Sequence, residues 1–180
     1  MNWLYQLPLG QSWIGRGWEL AGISQVRSGN PLTVFIQRNR SRSLWAPSLG
    51  PGIGFDRASL APGRTHESAV IGSPDQYLDP TAFVLPPAGQ LGQLGRGTFI
   101  GPDLRVLDLA LLKAFPVRER AQVQFRVEAF NLLNRANFGP PQLTVFAGAV
   151  DNERPLSSFG KVRGTITSSR QIQLALRVSF

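Results

Sequence analysis

The sequence predicts an all-β fold, an antiparallel transmembrane β-barrel fragment of about the last five strands with long extracellular loops. Three observations lead there. Apolar and polar residues alternate in several segments, and successive side chains of a strand point to opposite faces. These segments are close to the about 9 to 11 residues that a tilted strand needs to cross a bilayer. Short connections alternate with long ones, the asymmetry of barrels whose turns face the periplasm and whose loops face outside.

The first element is Asn2 to Leu7 (NWLYQL), read as the tail of a strand near 2–8. A second strand is expected over 17–29, with Trp18, Leu20, Gly22 and Val26 on one side and Glu19, Gln25 and Arg27 on the other. A third, near 103–115, contains LRVLDLALLKAF; Leu107, Leu109 and Leu111 share one face, Asp108 and Ala110 the other. The fourth, near 120–134, opens on AQVQFRVEA, where Ala121, Val123, Phe125, Val127 and Ala129 alternate with Gln122, Gln124, Arg126 and Glu128. The fifth, near 168–180, ends on QIQLALRVSF: Ile172, Leu174, Leu176, Val178 and Phe180 form its oily side. Counting back from a periplasmic C-terminus, the strands descend and ascend alternately, and every short connection falls on the periplasmic side.

The turn joining the third and fourth strands carries Pro116 and the charged run Arg118, Glu119, Arg120. With that turn centred near Val117, Asp108 is expected across from Arg126 or one diagonal step away, with Glu128 on the same face. The connections 30–102 and 135–167 are long. The first is rich in Pro and Gly (Pro47, Gly50, Pro51, Gly52, Gly54, Pro86, Pro87, Gly89, Gly92, Gly95), which reads as irregular chain, since proline cannot donate to a ladder.

Composition narrows the classes further. The 180 residues could bury one core, yet five strands cannot close a barrel, because the smallest have about eight, so a piece of a larger barrel is expected. No run of about 18 apolar residues suggests a membrane helix. Met1 opens on NWLYQLPLG without a basic start and apolar run, so the start of an outer-membrane protein is expected elsewhere. There are no cysteines, which excludes disulfides and thiolate chemistry. The net charge of +8 is spread over turns, loops and wet strand faces, which argues against nucleic acid. The one dense patch, Arg38, Arg40 and Arg42, is read as a solvated loop, with phosphates of lipopolysaccharide or of RNA as the alternative it could meet.

FRVEAFNLLNRANFG, from Phe125 to Gly139, resembles the penultimate-strand motif of TonB-dependent outer-membrane receptors of the carboxypeptidase-regulatory-like, soil-bacterial type. Phe125, Arg126, Glu128, Phe130, Asn131, Asn134, Asn137 and Phe138 occupy motif positions. GWELAGISQVRSGNPLTV from Gly17, YLDPTAFVLPPAGQLGQLGRGTFIGPD from Tyr77 and FGKVRGTITSSRQIQLALRVSF from Phe159 fit the same pattern. The resemblance implies a parent barrel of about 22 strands around a plug, an outer-membrane location and a nutrient ligand of unknown identity. It implies as partners lipid and lipopolysaccharide, the remainder of the receptor, TonB through an N-terminal part, and the barrel-assembly machinery, which would read a terminal signal at Leu176, Val178 and Phe180. Asp108, Arg126 and Glu128 are expected on the lumen side.

Enzyme chemistry finds little support. His66 is the only histidine and sits in a loop, short of a metal site or a triad. GQLGQLGRG (89–97) has no preceding apolar strand and no following helix, so the phosphate-cradle context is missing. No cofactor is expected. The alternative function is a soluble or cell-surface β-rich binding module that uses its basic loops.

Overall fold

The computed structural model describes residues 1–43, 56–118 and 121–180. Within them the chain forms β1 (Asn2–Gln6), β2 (Trp18–Arg27), β3 (Pro31–Leu32), β4 (Phe35–Ile36), β5 (Asp56–Arg57), β6 (Ser59–Leu60), β7 (Phe83–Val84), β8 (Phe99–Ile100), β9 (Leu104–Arg118), β10 (Ala121–Phe130), β11 (Thr144–Phe146) and β12 (Gln171–Ser179). No α-helix occurs among the described residues, and a single 3₁₀ turn spans Pro80–Ala82. The chain divides into two compact units.

The first unit comprises Met1–Arg27, Leu104–Asn137 and Thr165–Phe180. It is one five-stranded sheet in the order β1-β2-β9-β10-β12, every pair antiparallel. The sheet is open, so the described residues form no closed barrel. Its odd strand count leaves β1 and β12 pointing the same way, and they could not pair with each other in an antiparallel barrel.

Two boundaries differ from expectation for identifiable reasons. The third strand runs on through Pro116 to Arg118, because the missing N–H of proline falls beside a bulge at Ala121/Gln122, where the ladder is already interrupted. The fourth strand, expected to reach 134, stops at Phe130 because Asn131 turns into the left-handed region at φ 47°. Glu119 and Arg120 of the connecting turn, and the stretch holding Pro47 to Gly54, lie outside the described residues.

The second unit comprises Ser28–Asp103 and Phe138–Gly164. Here the expectation of irregular chain at 30–102 is corrected. Six two-residue strands pair within the unit, and Leu32, Val34, Ile36, Leu78, Phe99, Val145 and Phe159 belong to one buried core. Phe83 meets Phe99 and Phe159 edge-on, with ring centroids 5.7 and 5.2 Å apart. One pairing, β11 with β4, is parallel, an exception to the antiparallel expectation. Proline and glycine break the strands into short pieces without preventing burial. Gly92 shows how: a Cβ there would collide with the carbonyl of Arg57, so only glycine lets 91–94 lie against that strand.

The core side chains come from short pieces far apart in sequence, and their polar ends are tied locally. Asp79 caps the turn at Pro80 by accepting bonds from the Thr81 amide (2.9 Å) and hydroxyl (2.7 Å), and it pairs with Arg64. Burial pushes its carboxyl upward, but the bonds from Thr81 and then the charge of Arg64 outweigh that and hold it below the ordinary 3.8. A depressed folded-state value stabilises the fold above the ordinary carboxylate range, and that stabilisation is lost as the pH falls through the folded value. Asp79→Asn is therefore expected to flatten the acid limb of this unit's stability, measured by urea unfolding at neutral pH and near pH 3; an unchanged acid limb would remove this role.

Candidate functional site: a two-faced wall with a stapled end

The pairing register of the five-stranded sheet fixes which side chains share a face. Leu20 lies opposite Leu111, Leu111 opposite Val127, and Val127 opposite Leu174, so one apolar row crosses four strands. The same face carries Leu107, Leu109, Val123, Phe125, Ile172, Leu176 and Val178. Phe180 follows the end of β12 and is fully exposed. The other face carries Glu19, Gln25, Gln122, Gln124, Gln173 and Arg177 together with the alanines Ala21, Ala110 and Ala175.

Asp108, Arg126 and Glu128 share that polar face, but the expected register of Asp108 is corrected. Arg126 is opposite Leu112 and Glu128 opposite Ala110, so Asp108 sits four residues from the place across from Arg126, diagonal to Glu128 instead. The cause is the extension of β9 to Arg118, which moves the turn beyond Val117. Arg126 pairs within its own strand with Glu128 at 3.5 Å, an exposed contact of little energetic weight. Asp108 instead accepts from the Asn131 backbone N–H at 2.7 Å.

That bond begins a network at the end of the sheet where the long connections leave. Asn131, 5% exposed, donates its side-chain amide to the carbonyls of Arg135 and Ser168, both at 3.0 Å, and accepts from the Arg135 N–H at 3.2 Å. Asn134, also left-handed (φ 48°), accepts from the Arg170 N–H at 3.0 Å. Asn137, fully buried, accepts from the Arg105 N–H (2.9 Å) and the Arg135 guanidinium (3.0 Å) and donates to Thr167 (3.1 Å). The three asparagines thereby tie together β9, the end of β10 and the approach to β12. Asparagine suits this task because it tolerates left-handed backbone and carries both a donor and an acceptor.

The opposite end of the sheet gathers Trp18, already expected on the apolar side of its strand, with residues to which sequence reasoning gave no role. Tyr5, Trp18 and Phe115 fall on the apolar face near the β1–β2 turn, and Trp3 lies on the same face farther along β1. The Trp3 indole lies over Gly22, filling the space a Cβ would take. Among them is Lys113, on the apolar face yet only 1% exposed, whose ammonium group donates to backbone carbonyls of the turn. The signal was present in LRVLDLALLKAF: Lys113, like Arg105 at the other end of the segment, is a charge in phase with Leu107, Leu109 and Leu111.

In the second unit Arg38 and Arg42 of the arginine patch are exposed, but Arg40 is less free than expected. Arg40 pairs with Asp151 and donates to the Pro86 carbonyl at 2.8 Å, and its side chain is mostly buried. Phe138, of the sequence motif, is half-buried there. His66 is exposed and rests near the Phe99 ring at 5.4 Å. No group of three or more acidic or histidine side chains able to hold a metal ion is found among the described residues.

A family model described as an outer membrane beta barrel domain matches residues 1–173. The chain belongs to this family. No curated protein and no solved structure matches it. Membership in the outer membrane beta barrel family points to the outer membrane of a bacterium. It also gives the two faces of the sheet a physical meaning, because strands of such barrels alternate apolar-out and polar-in, with aromatic girdles at the membrane boundaries. Strands β2, β10 and β12, of 10, 10 and 9 residues, have the length of single crossings.

Proposed function

We propose that the chain is the C-terminal wall of a TonB-dependent outer-membrane receptor, part of a larger protein for active nutrient uptake and not transport-competent alone. The observation that carries this reading is the asparagine network. Phe125, Asn131, Asn134 and Phe138 stand at the motif positions of that receptor family, and Asn131 and Asn134 fasten the outer end of the wall. On this reading Leu111, Val127 and Leu174 face lipid, while Asp108, Arg126 and Glu128 face the lumen. The chain leaves and rejoins the sheet for its long connections at the end opposite the β1–β2 and β9–β10 turns, which supports reading those connections as the extracellular ones.

The partners are those of such a receptor: outer-membrane lipid and lipopolysaccharide, the strands and plug of the remaining barrel, TonB on the periplasmic side, and a nutrient bound from outside. Leu176, Val178 and Phe180 form the terminal signature offered to the barrel-assembly machinery; Leu176 and Val178 line the apolar face opposite Phe125 and Val123. The chain's role is structural within that uptake system and includes no enzymatic step. The test uses the full-length native protein, extracted from outer membranes and presented with the periplasmic domain of TonB. Saturable binding is expected. An outer-membrane barrel that carries this chain and fails to bind TonB would overturn the receptor reading while leaving the family intact.

A further inference from the structure

We propose that the turn between β1 and β2 is an interfacial membrane anchor, which Lys113 draws onto the apolar face of the sheet so that Trp13 and Ile14 enter the phospholipid leaflet on that side. The inference rests on the reading of this sheet as membrane-spanning.

The turn, PLGQSWIGRG between Leu7 and Trp18, is polar and glycine-rich apart from Leu9, Trp13 and Ile14, yet Trp13 is 62% and Ile14 68% exposed. Isolated exposed apolar residues are ordinary. These two are adjacent, and four contacts hold them on the oily side. Lys113 Nζ donates to the carbonyls of Ile14 (2.8 Å), Trp13 (3.3 Å) and Arg16. Trp18 Nε1 donates to the same Ile14 carbonyl at 2.8 Å. The Trp13 ring meets Phe115 at 5.6 Å. The ammonium group itself stands 4.9 Å from the Phe115 ring and 5.4 Å from that of Trp18. Since Lys113, Phe115 and Trp18 all lie on the apolar face, the turn folds toward that face.

The arrangement solves two problems at once. A lysine on a lipid-facing surface is costly unless its protons are bonded. Carbonyls of a turn pressed onto such a surface are equally in need of donors. Lys113 satisfies both, and the consequence is that Trp13 and Ile14 project with no protein against most of their surface. Tryptophan with a neighbouring cation is the composition favoured at the headgroup level, and Arg16 is exposed beside them to meet lipid phosphate. Depth agrees. From Arg105 to Lys113, both on the apolar face of β9, is about 26 Å along the strand, or about 20 Å along the normal at a tilt of about 40°. That approaches the roughly 25 Å apolar band of such barrels, so the turn lies at its edge. The patch is continuous with the lipid-facing surface, which selects phospholipid over a protein as its occupant.

The test places a cysteine bearing an environment-sensitive fluorophore at Ile14, and separately at Leu174, in the full-length protein reconstituted in phosphatidylethanolamine–phosphatidylglycerol vesicles. Nitroxide lipids should quench both labels, the one at Ile14 most strongly with the nitroxide near the headgroup, and aqueous iodide should quench neither well. Lys113→Gln should make the Ile14 label several-fold more accessible to iodide while the Leu174 label stays lipid-quenched. Quenching at Leu174 without quenching at Ile14 overturns the anchor and leaves the membrane-spanning reading standing. No lipid quenching at either position overturns that reading itself. An Ile14 label that stays in lipid in both Lys113→Gln and Lys113→Met overturns the part assigned to Lys113; the comparison of Ile14 with Leu174 needs neither variant to fold.

Discussion

Arginine in place of Val127 is expected to destabilise the assembled barrel by about 2 to 4 kcal/mol, against little for Gln124→Arg three residues earlier. The two positions differ by the face they occupy. Val127 stands between Leu111 and Leu174 in the apolar row, and a guanidinium there must leave water for hydrocarbon or distort the strand to reach the interface. Gln124 lies between Ala114 and Arg177 on the polar face, where a further charge stays hydrated. Val123→Arg, nearer the short turns, should cost less than Val127→Arg because the penalty falls toward the membrane boundary. Urea unfolding of the full-length protein in lipid vesicles, followed by the loss of heat-modifiable migration, measures all three. Equal tolerance on the two faces would count against a lipid-facing assignment of Val127.

The contrast between these positions was readable in the sequence because a strand's side-chain period of two leaves only one way to bury an alternating segment. The segments at Ala121–Ala129 and Gln171–Phe180 coincide with β10 and β12, and Leu104–Phe115 with most of β9. Alternation says nothing about where a strand ends, and there the reading slipped. Pro116 looked like a stop but fell beside a bulge, and a shift of the turn past Val117 was enough to separate Asp108 from Arg126. The second unit was illegible for a different reason. Its core comes from two-residue strands too short to show any period, joined by prolines and glycines that by themselves signal irregular chain. Leu32, Leu78 and Val145 are buried together by contacts far apart in sequence, which local patterns do not encode. Lys113 shows a third limit: its phase was visible, but the three carbonyls that receive it belong to a turn whose path only the fold defines.

The asparagine motif yields the other large effect. Asn131→Ala is expected to cost about 2 to 5 kcal/mol, the sum of two separable parts. The first is conformational: at φ 47° a residue with a Cβ and no local polar compensation pays about 1 to 2 kcal/mol. The second is the loss of the buried amide's bonds to the Arg135 and Ser168 carbonyls, at about 1 to 3 kcal/mol. Asn131→Gly removes the side-chain bonds but permits the left-handed backbone, so it should be milder than alanine by about 1 kcal/mol. Asn131→Asp keeps an acceptor for the Arg135 N–H and loses the donors, and it should fall near glycine. In all three the Asn131 N–H still reaches Asp108, so the end of β10 keeps its contact with β9 while its tie to the approach of β12 through Ser168 is cut. Hydrogen exchange should therefore rise at Ser168 to Gln171 before it rises in β9. Alanine and glycine variants of equal stability would show that the backbone is unstrained at Asn131, and unchanged exchange at Ser168 would show that the side chain is not the staple between β10 and β12.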